Sequence, residues 1–245
     1  AARGEDAAAI EFALDALETS AAAQLPQKGA MRDTIEQVAV AILIALFVRA
    51  FFYEAFRIPS QSMVPTLLVG DHLFVNKFTY GLRIPFTVSK VFTQVPKRGD
   101  IVVFNRPGDE HGDDIIKRVI GLPGDRIDVR DHHIWVNGEK LEWATLGEVA
   151  LDDRGDPSAH PGDDDVYERF SEKVGEVTHV ALAKRGALQG EPLEGSWIVL
   201  PEHLFVMGDN RDNSQDSRFS PRADGSGGFG QVPLEHVKGR ADFIW

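Results

Sequence analysis

The sequence of 245 residues contains no cysteine. This absence excludes disulfide bonds and thiolate nucleophiles, although it does not identify the redox compartment. Basic residues are also scarce, because 26 Lys and Arg stand against 38 Asp and Glu, a formal net charge of −12. Nucleic-acid binding needs clustered Lys and Arg to neutralise phosphates, so no nucleic-acid partner is predicted. Hydrophobic residues at 43% indicate a globular protein with a core rather than a disordered chain.

The acidic charge is concentrated in one part of the chain. Between Glu148 and Glu176 there are ten acidic residues against three basic ones. Such a local excess is typical of a solvated surface segment, and we therefore predict an acidic inserted subdomain at residues 140–195.

Long apolar runs are few, and the longest is residues 38–48, which read VAVAILIALFV. As a helix this run spans only about 16 Å, but residues 35–56 would reach about 33 Å, enough for a hydrocarbon core of roughly 30 Å. Charged side chains near the ends can extend to the membrane interface. We therefore predict a transmembrane helix at 35–56. A buried core helix is the alternative. A cleavable signal peptide fits less well, because a long segment precedes the run and no small-residue cleavage site follows it.

The segments on either side of this run have different character. Residues 1–34 are rich in alanine and carry Ile10, Phe12, Leu14 and Leu17 at helical spacing, which predicts a weak amphipathic helix in an N-terminal cytoplasmic segment. Beyond it, short apolar runs alternate with Gly, Pro and Asp, a pattern that predicts strands at 72–75, 100–104, 115–120, 126–129, 133–136, 196–200 and 204–207.

The best hairpin signal is Asn137-Gly138, which follows the apolar residues 134–136. We therefore predict a mainly β fold, in which an antiparallel β-sheet catalytic core at 57–139 and 196–245 holds the small inserted subdomain.

Residues 58–67 read IPSQSMVPTL and follow the apolar run directly. Two prolines restrict φ around Ser60 and Ser62, so both hydroxyls are expected on a stiff loop. A helix cap or a turn would account for the segment equally well when it is taken alone. No Gly-x-Ser-x-Gly motif occurs, which excludes an α/β-hydrolase nucleophile elbow.

Residues 114–125 read DIIKRVIGLPGD. On a strand, Lys117 shares a face with Ile115 and Val119, and Arg118 points to the opposite face. A lysine among β-branched neighbours on an inward face loses water, which lowers its pKa and lets it act as a general base. The alternative is a lysine at a strand end with a solvated amine.

Residues 207–218 read MGDNRDNSQDSR, with oxygen-bearing side chains at every second position from 210 to 216. The spacing resembles a calcium loop, but Gln215 and Pro221 occupy the positions where an EF-hand needs Gly and Glu. A dense hydrogen-bond network is the better interpretation. His132-His133 lacks carboxylates at ligand spacing and is expected at the surface, so no metal site is predicted.

Taken together, these segments resemble the bacterial type I signal peptidases, also called leader peptidases, which use a Ser/Lys dyad. The resemblance is carried in the family's order by PSxSMxPTL, by Gly-Asp at 70–71 with Val-Asn-Lys at 75–77, by KRxxGLPGD and by GDNRDNSxDSR. Val-Arg at 48–49 and Tyr-Glu at 53–54 also fit the end of the family's membrane anchor. The resemblance runs from about Val38 to the end and thins over 140–195. It implies antiparallel β-sheets with a β-rich insertion.

The resemblance also implies roles for individual residues. Ser62 matches the nucleophile and Lys117 the general base. Ser60 matches the serine whose hydroxyl joins the Ser62 N–H in the oxyanion hole, and Ser214 the residue that orients the lysine. The remaining matches are structural or apolar: ion pairs Asp216–Arg218 and Asp209–Arg118, apolar groups on the lysine at Phe104, Ile115 and Val206, and walls of the −1 and −3 substrate subsites at Ile58, Met63, Leu67 and Ile116.

By the same resemblance, the partners are the signal peptides of exported preproteins and a lipid membrane, and no metal or cofactor is needed. The implied location is the bacterial cytoplasmic (inner) membrane, with the catalytic domain on the outer side. The family's best-studied members carry two membrane helices and extend beyond a terminus such as this one. Because one apolar run is present and Met is absent at position 1, an upstream part is expected to be missing. Because the family extends past such a terminus, a C-terminal extension is also expected to be missing.

Two other functions were weighed. A self-cleaving repressor protease of the same Ser/Lys clan would need a DNA-binding helix-turn-helix, and the apolar run and acidic balance oppose it. A catalytically inactive, membrane-tethered β module is disfavoured because Ser60, Ser62, Lys117 and Ser214 are all present.

Overall fold

The computed structural model describes residues 12–17, 30–83, 90–91, 94–108, 114–157, 166–184, 194–221 and 228–244. The chain divides into two compact units, Ala1–Phe47 and Val48–Trp245. Residues 12–17 are helical, as the spacing of apolar residues predicts, although Ile10 lies outside the described residues.

The first long element is helix α1, Ala30–Phe51. The predicted transmembrane helix at 35–56 was wrong at its C-terminal end, because Tyr53–Arg57 forms strand β1. Strand β1 pairs antiparallel with β2, His72–Asn76, so that the sheet rather than a helix provides its backbone hydrogen bonds. Within the described part of the chain, no helix combines the length and apolar character needed to cross a membrane.

The largest sheet contains β1, β2 and five further strands: β5 Ile101–Asn105, β6 Asp114–Gly121, β14 His203–Met207, β15 Val232–Pro233 and β16 Val237–Ile244. Their order is β1-β2-β16-β5-β6-β14-β15, and all neighbours are antiparallel. Strand β6 therefore lies inside the sheet, between β5 and β14. Its adjacent residues Ile115 and Ile116 belong to different apolar clusters, as expected for side chains on opposite faces of a strand.

Three smaller sheets are also present among the described residues. A four-stranded sheet has the order β13-β7-β8-β9, with bounds Gly195–Ile198, Arg126–Arg130, His133–Val136 and Glu139–Lys140. A two-stranded sheet joins β3, Leu82–Arg83, to β4, Lys90–Val91. The third holds β10 Trp143–Ala150, β11 Val166–Val174 and β12 Val177–Lys184.

The mainly β, antiparallel prediction is confirmed, and each of the seven predicted runs overlaps a strand. The predicted hairpin is also confirmed, since Asn137 and Gly138 connect β8 to β9 with φ of 55° and 87°. Both residues lie in the left-handed region that a tight two-residue turn requires.

The segment predicted as an acidic insertion contributes β10, β11 and β12. Leu151, Tyr167 and Leu182 from this segment form an apolar cluster with Val64, which follows closely after Ser62. The insertion thus packs against the loop that carries the predicted nucleophile.

Candidate active site

Lys117 lies on the interior strand β6, opposite Val102 of β5, and only 4% of its surface is exposed. Burial lowers the pKa of Lys117 to about 8, although the nearby carboxylates of Asp216 and Asp209 act in the opposite direction. At pH 7 a pKa of about 8 leaves roughly one lysine in ten neutral, compared with about one in three thousand for an ordinary lysine. The strand therefore supplies an amine that can accept a proton near neutral pH.

Ser62 lies in a short 3₁₀ turn, Gln61–Met63, and is 7% exposed. The Lys117 ammonium donates hydrogen bonds to Ser62 Oγ at 2.6 Å and to the Ile116 carbonyl at 3.0 Å. Ser60 Oγ lies 3.4 Å from Ser62 Oγ. Residues that are 55 positions apart in sequence thus meet in the arrangement of a base and a nucleophile.

Residues 207–218, which contain the GDNRDNSxDSR motif, run beside Ser62. The Asn210 N–H donates to the Ser62 carbonyl at 3.1 Å. A Cβ atom at Gly208 would overlap the Ser62 carbonyl oxygen and Ser214 Oγ. Only glycine allows this segment to approach the Ser62 loop so closely, which explains Gly208 after the end of β14.

Asp216 is fully buried behind this segment. Arg218 donates to both of its carboxylate oxygens at 2.9 Å, and Ser214 Oγ donates to Asp216 Oδ2 at 2.8 Å. Burial alone would raise the pKa of Asp216, but Arg218 and the hydrogen bonds from Gly208 and Ser214 hold it below its usual value. Because the Ser214 hydroxyl bonds to Asp216 here, its predicted role in orienting Lys117 stays a prediction.

A second buried ion pair joins β6 to the same segment. Arg118 donates through Nε to Asp209 Oδ1 at 2.8 Å and through Nη2 to Asp209 Oδ2 at 2.6 Å. Thr66 Oγ1 donates to Asp209 Oδ2 at 2.5 Å. Asp209 therefore links three regions: the loop after Ser62, strand β6 and the segment after β14.

The predicted subsite residues Ile58, Met63, Leu67 and Ile116 lie together in one apolar cluster. Met63 and Leu67 have no exposed surface, whereas Ile58 is 3% and Ile116 is 8% exposed. Phe104, Ile115 and Val206 belong to a separate cluster that includes Val119. Ile115 and Val119 are each two residues from Lys117 along β6, so their side chains lie on the same face of the strand as the lysine. The cluster therefore lies on that face.

Comparison with known proteins identifies the family. The family model described as "Signal peptidase, peptidase S26" matches residues 31–245. The chain belongs to this signal peptidase family. It is therefore a serine endopeptidase by family.

Two relatives illustrate the similarity. Signal peptidase I of Pseudomonas fluorescens is 40% identical over 208 residues, covering 83% of this chain and 68% of that protein. Signal peptidase I of Pseudomonas aeruginosa is 38% identical over the same coverage. A solved signal peptidase I from Enterococcus faecalis V583 is 25% identical, covering 61% of this chain and 98% of that one, with a TM-score of 0.33.

Sequence reasoning on this signal peptidase missed one buried charged group beside the site. Arg211 donates to Glu172 Oε2 at 2.5 Å, and each side chain is 1% exposed. The His179 ring, with a pKa lowered by burial to about 4, lies 3.7 Å from Glu172 and 3.5 Å from Asp209. Glu172 thus departs from the expectation of a solvated acidic segment.

A signal for this burial was present in the sequence. Glu172 stands between Phe170 and Val174 at a spacing of two, and all three are buried in β11. An acid between two apolar residues on one face of a strand predicts a buried carboxylate, which needs a cationic partner.

Proposed function

We propose that Ser62 is the nucleophile and Lys117 the general base of a protease that removes signal peptides from exported preproteins. One observation carries the proposal: Lys117 Nζ lies 2.6 Å from Ser62 Oγ in a buried setting. The burial that lowers the pKa of Lys117 to about 8 increases the fraction of neutral amine, which is the form that can act as a base.

In the proposed reaction, the neutral Lys117 amine accepts the proton of Ser62 Oγ as this oxygen attacks the carbonyl carbon of the −1 residue. The negative charge on the former carbonyl oxygen is stabilised by Ser60 Oγ and the Ser62 N–H. Each such donor typically contributes about 3–4 kcal/mol to the transition state. The C–N bond then breaks, and the Lys117 ammonium gives its proton to the leaving amine. Water then gives a proton to Lys117 as its oxygen adds to the ester carbonyl carbon. The C–O bond to Ser62 breaks, Lys117 returns the proton to Ser62 Oγ, and the signal peptide is released. None of these steps uses a metal or cofactor.

The apolar cluster beside Ser62 supports a preference for small residues at −1 and −3. Ile58 and Ile116 retain some exposed surface and would contact the substrate side chains. Met63 and Leu67 are fully buried and would support these walls from behind. A wall of branched side chains backed by a filled core cannot yield easily, so a bulky −1 side chain would be rejected by volume.

We also infer that α1 attaches the protease to a lipid membrane. Eight large apolar side chains between Val38 and Val48 are 42–65% exposed: Val38, Val40, Ile42, Leu43, Ile44, Leu46, Phe47 and Val48. An apolar surface of this extent is typical of a membrane or protein interaction site. The family favours the bacterial cytoplasmic membrane, with the catalytic residues on its outer side. The chain should sediment with phospholipid vesicles, and deletion of residues 38–48 should abolish sedimentation; an unchanged distribution would contradict attachment through α1.

The catalytic proposal is tested with detergent-solubilised protein and a preprotein that has Ala at −1 and −3. Ser62→Ala and Lys117→Ala should each abolish cleavage while the melting temperature stays close to that of the unmodified protein. Lys173→Ala is the control, because Lys173 is an exposed lysine paired with Glu142 away from the dyad. Turnover by Ser62→Ala near the unmodified rate would refute the assignment.

A further inference from the structure

Gln61 lies between the two serines, and its carboxamide joins three separate segments. Its Nε2 donates to the Asp153 carbonyl at 2.6 Å and is 3.4 Å from the Asp152 carbonyl. Its Oε1 accepts a hydrogen bond from Asn213 Nδ2 at 3.0 Å. Backbone carbonyls can only accept, so the NH₂ group must face residues 152 and 153 and the oxygen must face Asn213.

The segment of the insertion that contacts Gln61 is a turn held by several hydrogen bonds. Asp152 Oδ1 accepts from the N–H groups of Arg154 at 2.8 Å and Asp156 at 2.9 Å. The Asp152 N–H donates to the Asp156 carbonyl at 2.9 Å, and an isolated bridge pairs Leu151 with Pro157. These bonds hold the carbonyls of residues 152 and 153 in the orientation that Gln61 uses.

The same turn is packed against the chain that follows Ser62. A Cβ atom at Gly155, where φ is +91°, would lie 2.6 Å from Val64 Cγ2. The Val69 N–H donates to the Arg154 carbonyl at 3.1 Å. The turn therefore contacts the nucleophile segment both through Gln61 and on the far side of Val64.

From these contacts we infer that Gln61 is a positioning residue, whose carboxamide ties the serine loop to the 152–156 turn and to Asn213 and so holds Ser60 and Ser62 in their catalytic placement. This inference rests on the proposed function, because it takes Ser62 as the nucleophile. It gives the inserted acidic segment a role in catalysis: the segment supports the oxyanion site from outside. Gln61 itself acts only through the two serines on either side of it.

The test measures kcat and KM for preprotein cleavage by Gln61→Ala. We expect kcat to fall about tenfold with KM nearly unchanged, because a small displacement of catalytic groups slows the chemical step more than it weakens binding. Gln61→Glu should lose kcat to a similar extent. The glutamate can still accept from Asn213, but its ionised carboxylate has no proton to donate to the carbonyls of 152 and 153.

Gln231→Ala is the matched control. The Gln231 carboxamide also bridges backbone groups, accepting from the Leu200 N–H at 2.7 Å and donating to the Ile198 carbonyl at 2.9 Å. Its loss should lower the melting temperature as much as Gln61→Ala does, with kcat unchanged. If kcat falls in Gln61→Ala but not in Gln231→Ala, a general loss of stability cannot account for the fall.

Coupling with Asn213 provides a second readout. Asn213→Ala should lower kcat less than Gln61→Ala, and the double variant should be no slower than Gln61→Ala alone, since the Asn213 bond acts through Gln61. The inference is overturned if Ser62→Ala is inactive but Gln61→Ala or Gln61→Glu retains the kcat of the unmodified protein. It is also overturned if Gln231→Ala lowers kcat as much as Gln61→Ala does. Activity of Ser62→Ala would instead refute the proposed function.

Discussion

Arg211 and Glu172 form an ion pair in which each side chain is 1% exposed, and it joins the segment beside Ser62 to strand β11. Arg211 Nε also donates to the Gly208 carbonyl at 3.2 Å, at the position where the chain passes closest to the nucleophile loop. The catalytic segment and the inserted sheet are therefore connected through buried charges. This connection has a measurable consequence for stability.

Glu172→Ala should lower the free energy of unfolding by about 3–5 kcal/mol, because it leaves the Arg211 guanidinium buried without a counter-charge. Urea denaturation of both proteins measures the difference. Glu142→Ala is the control: its partner Lys173 lies 3.1 Å away, but the side chains are 43% and 77% exposed. An exposed pair contributes about 1 kcal/mol or less. Equal losses in the two variants would show that burial does not decide the strength of these pairs.

Ser60→Ala should lower kcat by roughly 10²–10³ with little change in KM, as expected when one donor to the transition-state oxyanion is lost. Steady-state kinetics on a preprotein separate the two constants. Ser196→Ala serves for comparison, because the Ser196 hydroxyl also makes a side-chain hydrogen bond, to Asp128, in a different sheet. If KM rose with kcat unaffected, Ser60 would bind the ground-state substrate instead.

The pH dependence of kcat/KM tests the base. Below the lowered pKa of Lys117 the amine is protonated and cannot accept the Ser62 proton, and above it the amine is neutral and active. Since burial lowers this pKa to about 8, kcat/KM should rise with pH through a limb near 8. A limb near pH 6.5, the range of an ordinary histidine, would contradict a lysine base.

The position of that limb should depend on the apolar residues on the lysine's face. Val206→Thr keeps the side-chain volume but adds a hydroxyl, which favours the charged amine and should move the limb toward higher pH. The exposed Ile198, which is 60% accessible, provides the control Ile198→Thr, with no expected change. An unmoved limb in Val206→Thr would show that desolvation by this cluster does not set the pKa.

Substrate specificity tests the subsite walls. A preprotein with Ala at −1 should be cut and one with Phe at −1 should not, because overfilling a stiff pocket costs about 1–3 kcal/mol or more. Ile116→Ala should enlarge the pocket and so reduce the ratio of the cleavage rates for Ala and Phe at −1. Ile198→Ala should leave this ratio unchanged. Cleavage assays with the two preproteins measure the ratio, and equal rates for Ala and Phe in the unmodified protein would be incompatible with these walls.

Much of this protein could be predicted from local sequence. Turn pairs such as Asn137-Gly138 and alternating apolar residues identified the strands, because turn geometry and the two-residue strand period depend on near neighbours. The two-residue strand period also predicted that Lys117 shares an inward face with Ile115 and Val119. Ser60, Ser62, Lys117 and Ser214 lie in contiguous motifs, so their positions could be identified from the sequence without the fold.

The tertiary structure decided which of these segments meet. Lys117 and Ser62 lie 2.6 Å apart only because β6 runs inside the sheet and the 61–63 turn is packed beside it. Nothing in the local pattern showed that the helical segment ends at Phe51, since the pairing of β1 with β2 decides that end. The contacts of Glu172 and Gln61 were likewise decided by the tertiary structure. Their hydrogen bonds join residues tens of positions apart, and these segments meet only after the sheets have packed.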